Sequence, residues 1–140
     1  EKIPSIGLLT IADILNKKNY NNEILKRSDL NKKNDFYRSN HIANIIEKKK
    51  PNVIGFTTRC DTFPSIIEII KLLDNIKTKI ILGGPKATHS DVDILSEFHE
   101  VDIIVRGEGE ETIVDLINTL KNNNNLSEVD GITYKKNGKR

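Results

Sequence analysis

A single cysteine, Cys60, stands in 140 residues, so no disulfide can close within the chain. A cluster held by several thiolates is excluded with it, because one sulfur cannot supply the ligands. Aromatic residues are as scarce: four phenylalanines, three tyrosines and no tryptophan, with no basic stripe interleaved among them. That removes a stacking platform for single-stranded nucleic acid. Charge of one sign is lacking too. Lys and Arg number 22 against 20 Asp and Glu, a net charge of +2, and the lysines are scattered among acids, so no nucleic-acid partner is expected. No run approaches the roughly 20 apolar residues of a membrane span, and no signal-peptide pattern opens the chain. What remains is one soluble, cytoplasmic domain. Its 36% hydrophobic and 30% charged residues suit a single core.

Short β-branched runs that end in glycine or threonine, alternating with helical stripes, are present in number. Asn52–Thr57, Lys79–Leu82 and Asp102–Val105 read as buried parallel strands, and Glu23–Arg27 as a charged edge strand. The first helix starts at Pro4 and ends at Asn16–Asn19. A second is expected to follow Ser39 as N-cap, with Ile42, Ile45 and Ile46 inward, and to stop at Pro51. Pro64 opens a third, with Ile66, Ile69, Ile70 and Leu73 as its stripe, ending near Asp74-Asn75. Ser90 with Asp93 imitates a capping box, placing Val92, Leu95 and Phe98 inward, and Ile113, Leu116, Ile117 and Leu120 mark a last helix. Asn122–Asn125 is a polar linker. Gly131–Tyr134 followed by Asn137-Gly138 reads as a C-terminal β-hairpin.

The alternation means α/β with a parallel sheet of flavodoxin-like or Rossmann-like type. Such a domain begins with a strand, and that strand lies inside the sheet. Here the first residues are already helical, so the first strand is expected to be missing, its place to be filled by another segment, and Glu1 to be a boundary within a longer protein.

Several motifs at the strand ends admit two readings. Gly83-Gly84-Pro85 is either a tight turn or a glycine ledge where backbone meets a ligand. Gly107-Glu108-Gly109-Glu110-Glu111 places carboxylates at a helix N-terminus, where the dipole favours them; as a phosphate loop it would repel its ligand. A dinucleotide fingerprint would need glycine at Thr112. Thr57 and Thr58 can bond a ligand or cap backbone, and Cys60 beside Arg59 is either a reactive or an inert loop thiol. Three scattered histidines give no metal-ligand spacing.

The run Ile81-Leu82-Gly83-Gly84-Pro85-Lys86-Ala87-Thr88, then an acidic helix, then Val101-Asp102-Ile103-Ile104-Val105-Arg106-Gly107-Glu108-Gly109-Glu110, resembles the N-terminal cobalamin-binding domain of B12-dependent radical S-adenosylmethionine (SAM) enzymes. The likeness extends from Gly55–Pro64 to Gly131–Tyr134, most of the chain. It departs at Lys86, where family members often carry histidine. The resemblance implies a cobalamin site formed by Thr57, Thr58, Arg59, Cys60, Gly83, Gly84, Pro85, Thr88, Gly107, Glu108 and Gly109. Glycines and Thr57 would meet the nucleotide tail, while Glu108 would pair with Arg106 or a partner domain.

It further implies that the chain, residues 1–140, is a non-catalytic part of a longer protein. Its partner would be a C-terminal radical SAM domain of the same polypeptide, holding the 4Fe-4S cluster and S-adenosylmethionine. Cobalamin would be bound histidine-off. The lower-ligand pattern Asp-x-His-x-x-Gly is not met by His41, His89 or His99, which follow Ser39, Ala87 and Glu97 two residues earlier. The rivals are a degenerate docking module without cofactor and a receiver-like signalling domain, the latter disfavoured because no phosphoacceptor Asp ends the third strand.

Overall fold

The computed structural model describes residues 6–25, 35–73 and 76–136. Helix α1 (Ile6–Lys17) stops where Asn19 turns left-handed at φ 63°, which lets Tyr20 N–H bond the Leu15 carbonyl at 2.9 Å. Helix α2 (Asp35–Lys49) ends at left-handed Lys50, before Pro51. It begins four residues earlier than Ser39, which is no N-cap but lies 3% exposed inside the helix; neither Gly nor Pro stands between 35 and 39 to delay the start.

Strands β1 (Val53–Thr57), β2 (Lys79–Gly83) and β3 (Ile103–Val105) are parallel, and β4 (Ile132–Tyr134) joins antiparallel to β3, in the order β1-β2-β3-β4. Three of the four strands expected to be parallel are therefore present within a residue or so. The fourth, 23–27, is not a strand over its described part, and its residues 26 and 27 lie outside the described residues. The reason lies in its bonds to other parts of the chain. Asn22 spends its side-chain amide on the Ala12 and Tyr20 carbonyls and on Asn16, and Glu23 pairs with Lys49 at 2.9 Å, so this stretch is tied to helix ends. The C-terminal hairpin is represented by β4, and its Asn137-Gly138 turn lies outside the described residues.

Alternation along the strands sorts two layers. Ile80, Leu82 and Ile104 face α2, α3 (Phe63–Leu72), α4 (Pro85–His89) and α5 (Asp91–Glu97), packing with Ile42, Ile46, Ile70 and Leu95. Ile81, Ile103 and Val105 face the other way, against Leu116 of α6 (Gly109–Lys121) and Val129. Helix α1 packs on α6. The expected ends of α3 at Asp74-Asn75 lie outside the described residues.

The capping box at Ser90 is not formed. Ser90 separates α4 from α5, and its side chain makes no cap bond. Asp91 opens α5 and ties it to the sheet, its carboxylate accepting from Thr133 Oγ1 at 2.6 Å. Val92, expected inward, is 44% exposed; Ile94 and Leu95 fill the core. Among the described residues no helix is long and apolar enough to cross a membrane.

Candidate functional site

The three parallel strands end at one edge, and the loops that leave it carry all the site residues named from the sequence. These residues fall into two groups. Those on the α1/α6 side of the sheet form a bare stripe. Val53 packs with that layer while Ile54 and Phe56 pack with the opposite one, so strand alternation places Gly55 and Thr57 on the α1/α6 side. Thr57 lies in register with Gly83, and Gly55 with Ile81, so Gly55, Thr57 and Gly83 are neighbours on one face. Gly55 and Thr57 are exposed and Gly83 is half-buried.

Among the described residues, a Cβ at Gly55 would meet only the Ile81 carbonyl at 4.0 Å, and one at Gly83 only the Val105 carbonyl at 3.8 Å, ordinary contact distances. The fold therefore has no steric need of glycine at either place. Glycine inside a strand loosens it and marks close approach by something else. Gly55 was not singled out from the sequence, although its place within a strand is the signal that could have found it. Gly109 continues the stripe at the start of α6, with room for a Cβ 3.5 Å from Ile11 of α1.

The second group holds the loops together. Thr58 is wholly buried: its N–H and Oγ1 both donate to the Gly83 carbonyl, at 2.8 and 2.7 Å, while its Oγ1 accepts from Ala87 N–H at 2.9 Å and its carbonyl from Lys86 N–H at 3.3 Å. Expected as a cofactor contact, Thr58 has its one hydroxyl hydrogen spent on Gly83 and its side chain turned wholly inward. Gly84 sits against it at φ 92°; a Cβ there would lie 2.6 Å from the Thr58 carbonyl and 2.7 Å from its nitrogen. Here glycine is required by the backbone itself. Pro85 is exposed and opens α4, the first helical position suiting its fixed φ.

Thr88 Oγ1 accepts the Gly107 N–H at 2.9 Å, which takes that amide from a ligand and leaves the half-buried Thr88 its own O–H hydrogen to donate. The Lys86 ammonium stands 5.3 Å from the Phe63 ring centroid, over its face, and 3.4 Å from Ser90 Oγ. That gives position 86 a loop-holding part. Arg59 and Asp61 pair at 3.1 Å on the surface beside exposed Cys60, and such pairs contribute little. Glu108 is exposed and does not pair with Arg106 among the described residues. Arg106 turns to β4, donating its N–H to the Gly131 carbonyl at 2.8 Å and its guanidinium to that of Ile132 at 3.4 Å.

Elsewhere the chemistry is thin. A cleft of about 350 Å³ opens at the opposite edge among Leu73, Ile76, Lys79, Glu100 and Asp102, far along the strands from the glycine loops. Asp102 there is engaged with Ile80 N–H at 2.8 Å and faces Lys79 at 3.9 Å. Among the described residues no three His, Cys, Asp or Glu side chains converge as metal ligands.

An α/β domain with helices on both faces of a mainly parallel sheet and glycine-bearing loops at its carboxyl edge has the architecture of the open-sheet class, whose members bind ligands at that edge. The comparisons narrow the class. The B12 binding domain model matches residues 1–117, and the chain belongs to that family. It is 33% identical over 100 residues to an uncharacterised methyltransferase of Pyrococcus horikoshii, covering 70% of this chain and 22% of that protein. It is 46% identical over 57 residues to the anaerobic magnesium-protoporphyrin IX monomethyl ester cyclase of Synechocystis, covering 41% of this chain and 11% of that one. In fold it is similar to the radical S-adenosylmethionine methyltransferase TsrM of Kitasatospora setae in a structure with cobalamin and a [4Fe-4S] cluster bound. There the TM-score is 0.77 at 15% identity, over 96% of this chain and 25% of that one. The N-terminal domain of a hypothetical protein of Thermotoga maritima is similar at a TM-score of 0.57 and 18% identity, over 82% of this chain and 86% of that one. The chain thus spans less than a quarter of the curated relatives it matches.

Proposed function

We propose that this chain is the cobalamin-holding domain of a radical SAM enzyme, with methyl transfer the favoured reaction of the whole protein. The observation that carries the reading is the stripe Gly55, Thr57 and Gly83, bare of bulk on one face of the sheet although the fold has room for side chains at both glycines. The nucleotide tail of cobalamin would lie along that stripe, with Thr57 Oγ1 as its polar contact and Gly109 at the far end. Thr58, Gly84 and Thr88 would shape the loops without touching it.

Cobalamin, when bound, supplies a cobalt centre that accepts and delivers a methyl group or supports a radical rearrangement. This chain would contribute position and exclusion of water. The 4Fe-4S cluster and SAM would belong to a following catalytic domain of the same cytoplasmic polypeptide, against which the exposed loop Arg59-Cys60-Asp61 would face. Binding would be histidine-off, since His99 lines the cleft at the opposite edge, His41 lies within α2, and His89, which ends α4 near the loops, does not stand in an Asp-x-His-x-x-Gly pattern.

The alternative, a docking module without cofactor, draws on the internal use of Thr58, Thr88 and the Gly107 amide, which removes polar groups from a ligand's reach. Titration of hydroxocobalamin, followed by visible spectrum and calorimetry, decides between them. The chain alone is expected to bind weakly, because much of a large cofactor would stay wet without the covering domain. Its spectrum should be unchanged by His41→Ala, His89→Ala or His99→Ala. A spectrum that shifts in one of these variants would overturn histidine-off binding. No binding even by the whole polypeptide would leave the docking module.

A further inference from the structure

The loop after β3 is held by bonds from two separate sides. On one side Thr88 of α4 accepts the Gly107 N–H at 2.9 Å. On the other, Arg106 is fastened to β4 twice, by its N–H to the Gly131 carbonyl and by its guanidinium to the Ile132 carbonyl. Between these anchors Gly107 takes φ 68°, with nothing among the described residues within 4 Å of where a Cβ would stand, so the turn is set by its bonds and not by packing. Neighbouring bonds stiffen both anchors. Thr133 of β4 donates to Asp91 at 2.6 Å, and Asp91 begins α5 directly behind α4. The exposed surface of the loop makes these few bonds its main constraint.

We propose that Thr88 and Arg106 are positioning residues that hold the Gly107–Gly109 loop in register with the bare stripe, so that β4 and α4 jointly set how the loop meets the cofactor. The inference rests on the cobalamin reading above. It assigns a part in the site to β4, which lies beyond the residues matched by the family model. Thr88→Val keeps the shape and removes the acceptor for Gly107; Thr88→Ser keeps the acceptor. Arg106→Gln removes the guanidinium bond and retains the backbone one.

In the whole polypeptide, one lost loop bond should raise the cobalamin dissociation rate by roughly three- to ten-fold, the ratio a single net hydrogen bond sustains. Thr88→Val and Arg106→Gln should both show it, Thr88→Ser should restore the parent rate, and the melting temperature of the apoprotein should hardly move. Amide exchange at Gly107 should quicken in Thr88→Val with or without cobalamin. Parent-like release and unchanged Gly107 exchange in Thr88→Val would overturn the inference while leaving the cobalamin reading standing. A parent that binds no cobalamin would overturn the reading, and with it the assignment. If Thr88→Val fails to fold, Arg106→Gln against parent gives the same decision.

Discussion

The two faces of the sheet are built to different ends. On the face covered by α2 to α5, Leu82, Ile104 and Ile70 are fully buried, and Ile54 and Phe56 of β1 pack against the same cluster. On the other, the β1 half carries Gly55 and Thr57 in the open, and α1, apolar along most of its length, buries none of its described residues. The same strands supply both faces, so the contrast is not one of local propensity. A chain that fills one face with isoleucine and leucine leaves the β1 half of the other bare, and the packed core on the filled face holds the bare half rigid.

The contrast can be broken from the filled side first. Leu82→Ala, which empties a fully buried position, should cost about 4 kcal/mol of stability in a denaturant titration, because the surrounding layer cannot collapse into the space. A cost near zero would mean that this face is no better packed than the other. Gly84→Val comes next, at about 3 kcal/mol, since any side chain is strained at φ 92° and its Cβ would press on the Thr58 backbone. Such a variant reports on folding before it reports on a ligand. The sequence alone suggests the opposite, a loop variant harmful mainly to binding.

A smaller effect belongs to the junction of α5 and β4. Hydrogen bonding from Thr133 is the main influence that holds the Asp91 carboxyl below its ordinary value of 3.8, with the Val92 amide and Arg106 assisting against the opposing effect of burial. A depressed carboxylate stabilises the fold above its unfolded value and loses that contribution as pH falls through the lower folded one. Asp91→Asn should therefore cost about 1 kcal/mol near neutrality, and the gap in melting temperature from the parent should close below the ordinary carboxylate range. A gap that persists undiminished in strong acid would assign the effect to packing.

Much of the fold is legible in the sequence because it rests on near-neighbour signals. Continuous β-branched runs give β1 to β3, and the stripes of α3 and α6 follow from helical spacing. What escapes such reading depends on residues far apart in the chain. Asn22 and Glu23 are drawn to helix ends, which no pattern within 23–27 announces. Thr57 and Thr58 look equivalent as adjacent hydroxyls, yet one stands on the open face and the other is locked under Gly83 and Ala87, 25 and 29 residues away. Gly84 and Gly83 look equivalent too. Only the spatial neighbours of each show that the first serves the backbone and that the second is left bare.

The smallest expected change in stability is also the most informative. Gly55→Val adds a branched side chain to the bare stripe, where among the described residues its Cβ would find only the Ile81 carbonyl at 4.0 Å, so the melting temperature should stay level or rise slightly, valine favouring a strand. Cobalamin affinity, measured by titration of parent and variant in the whole polypeptide, should fall at least about ten-fold, the ratio that 1.4 kcal/mol of lost contact produces. Gly83→Val should behave alike. Equal affinity in parent and both variants, at equal melting temperature, would contradict the account, for the stripe would then be bare without being occupied.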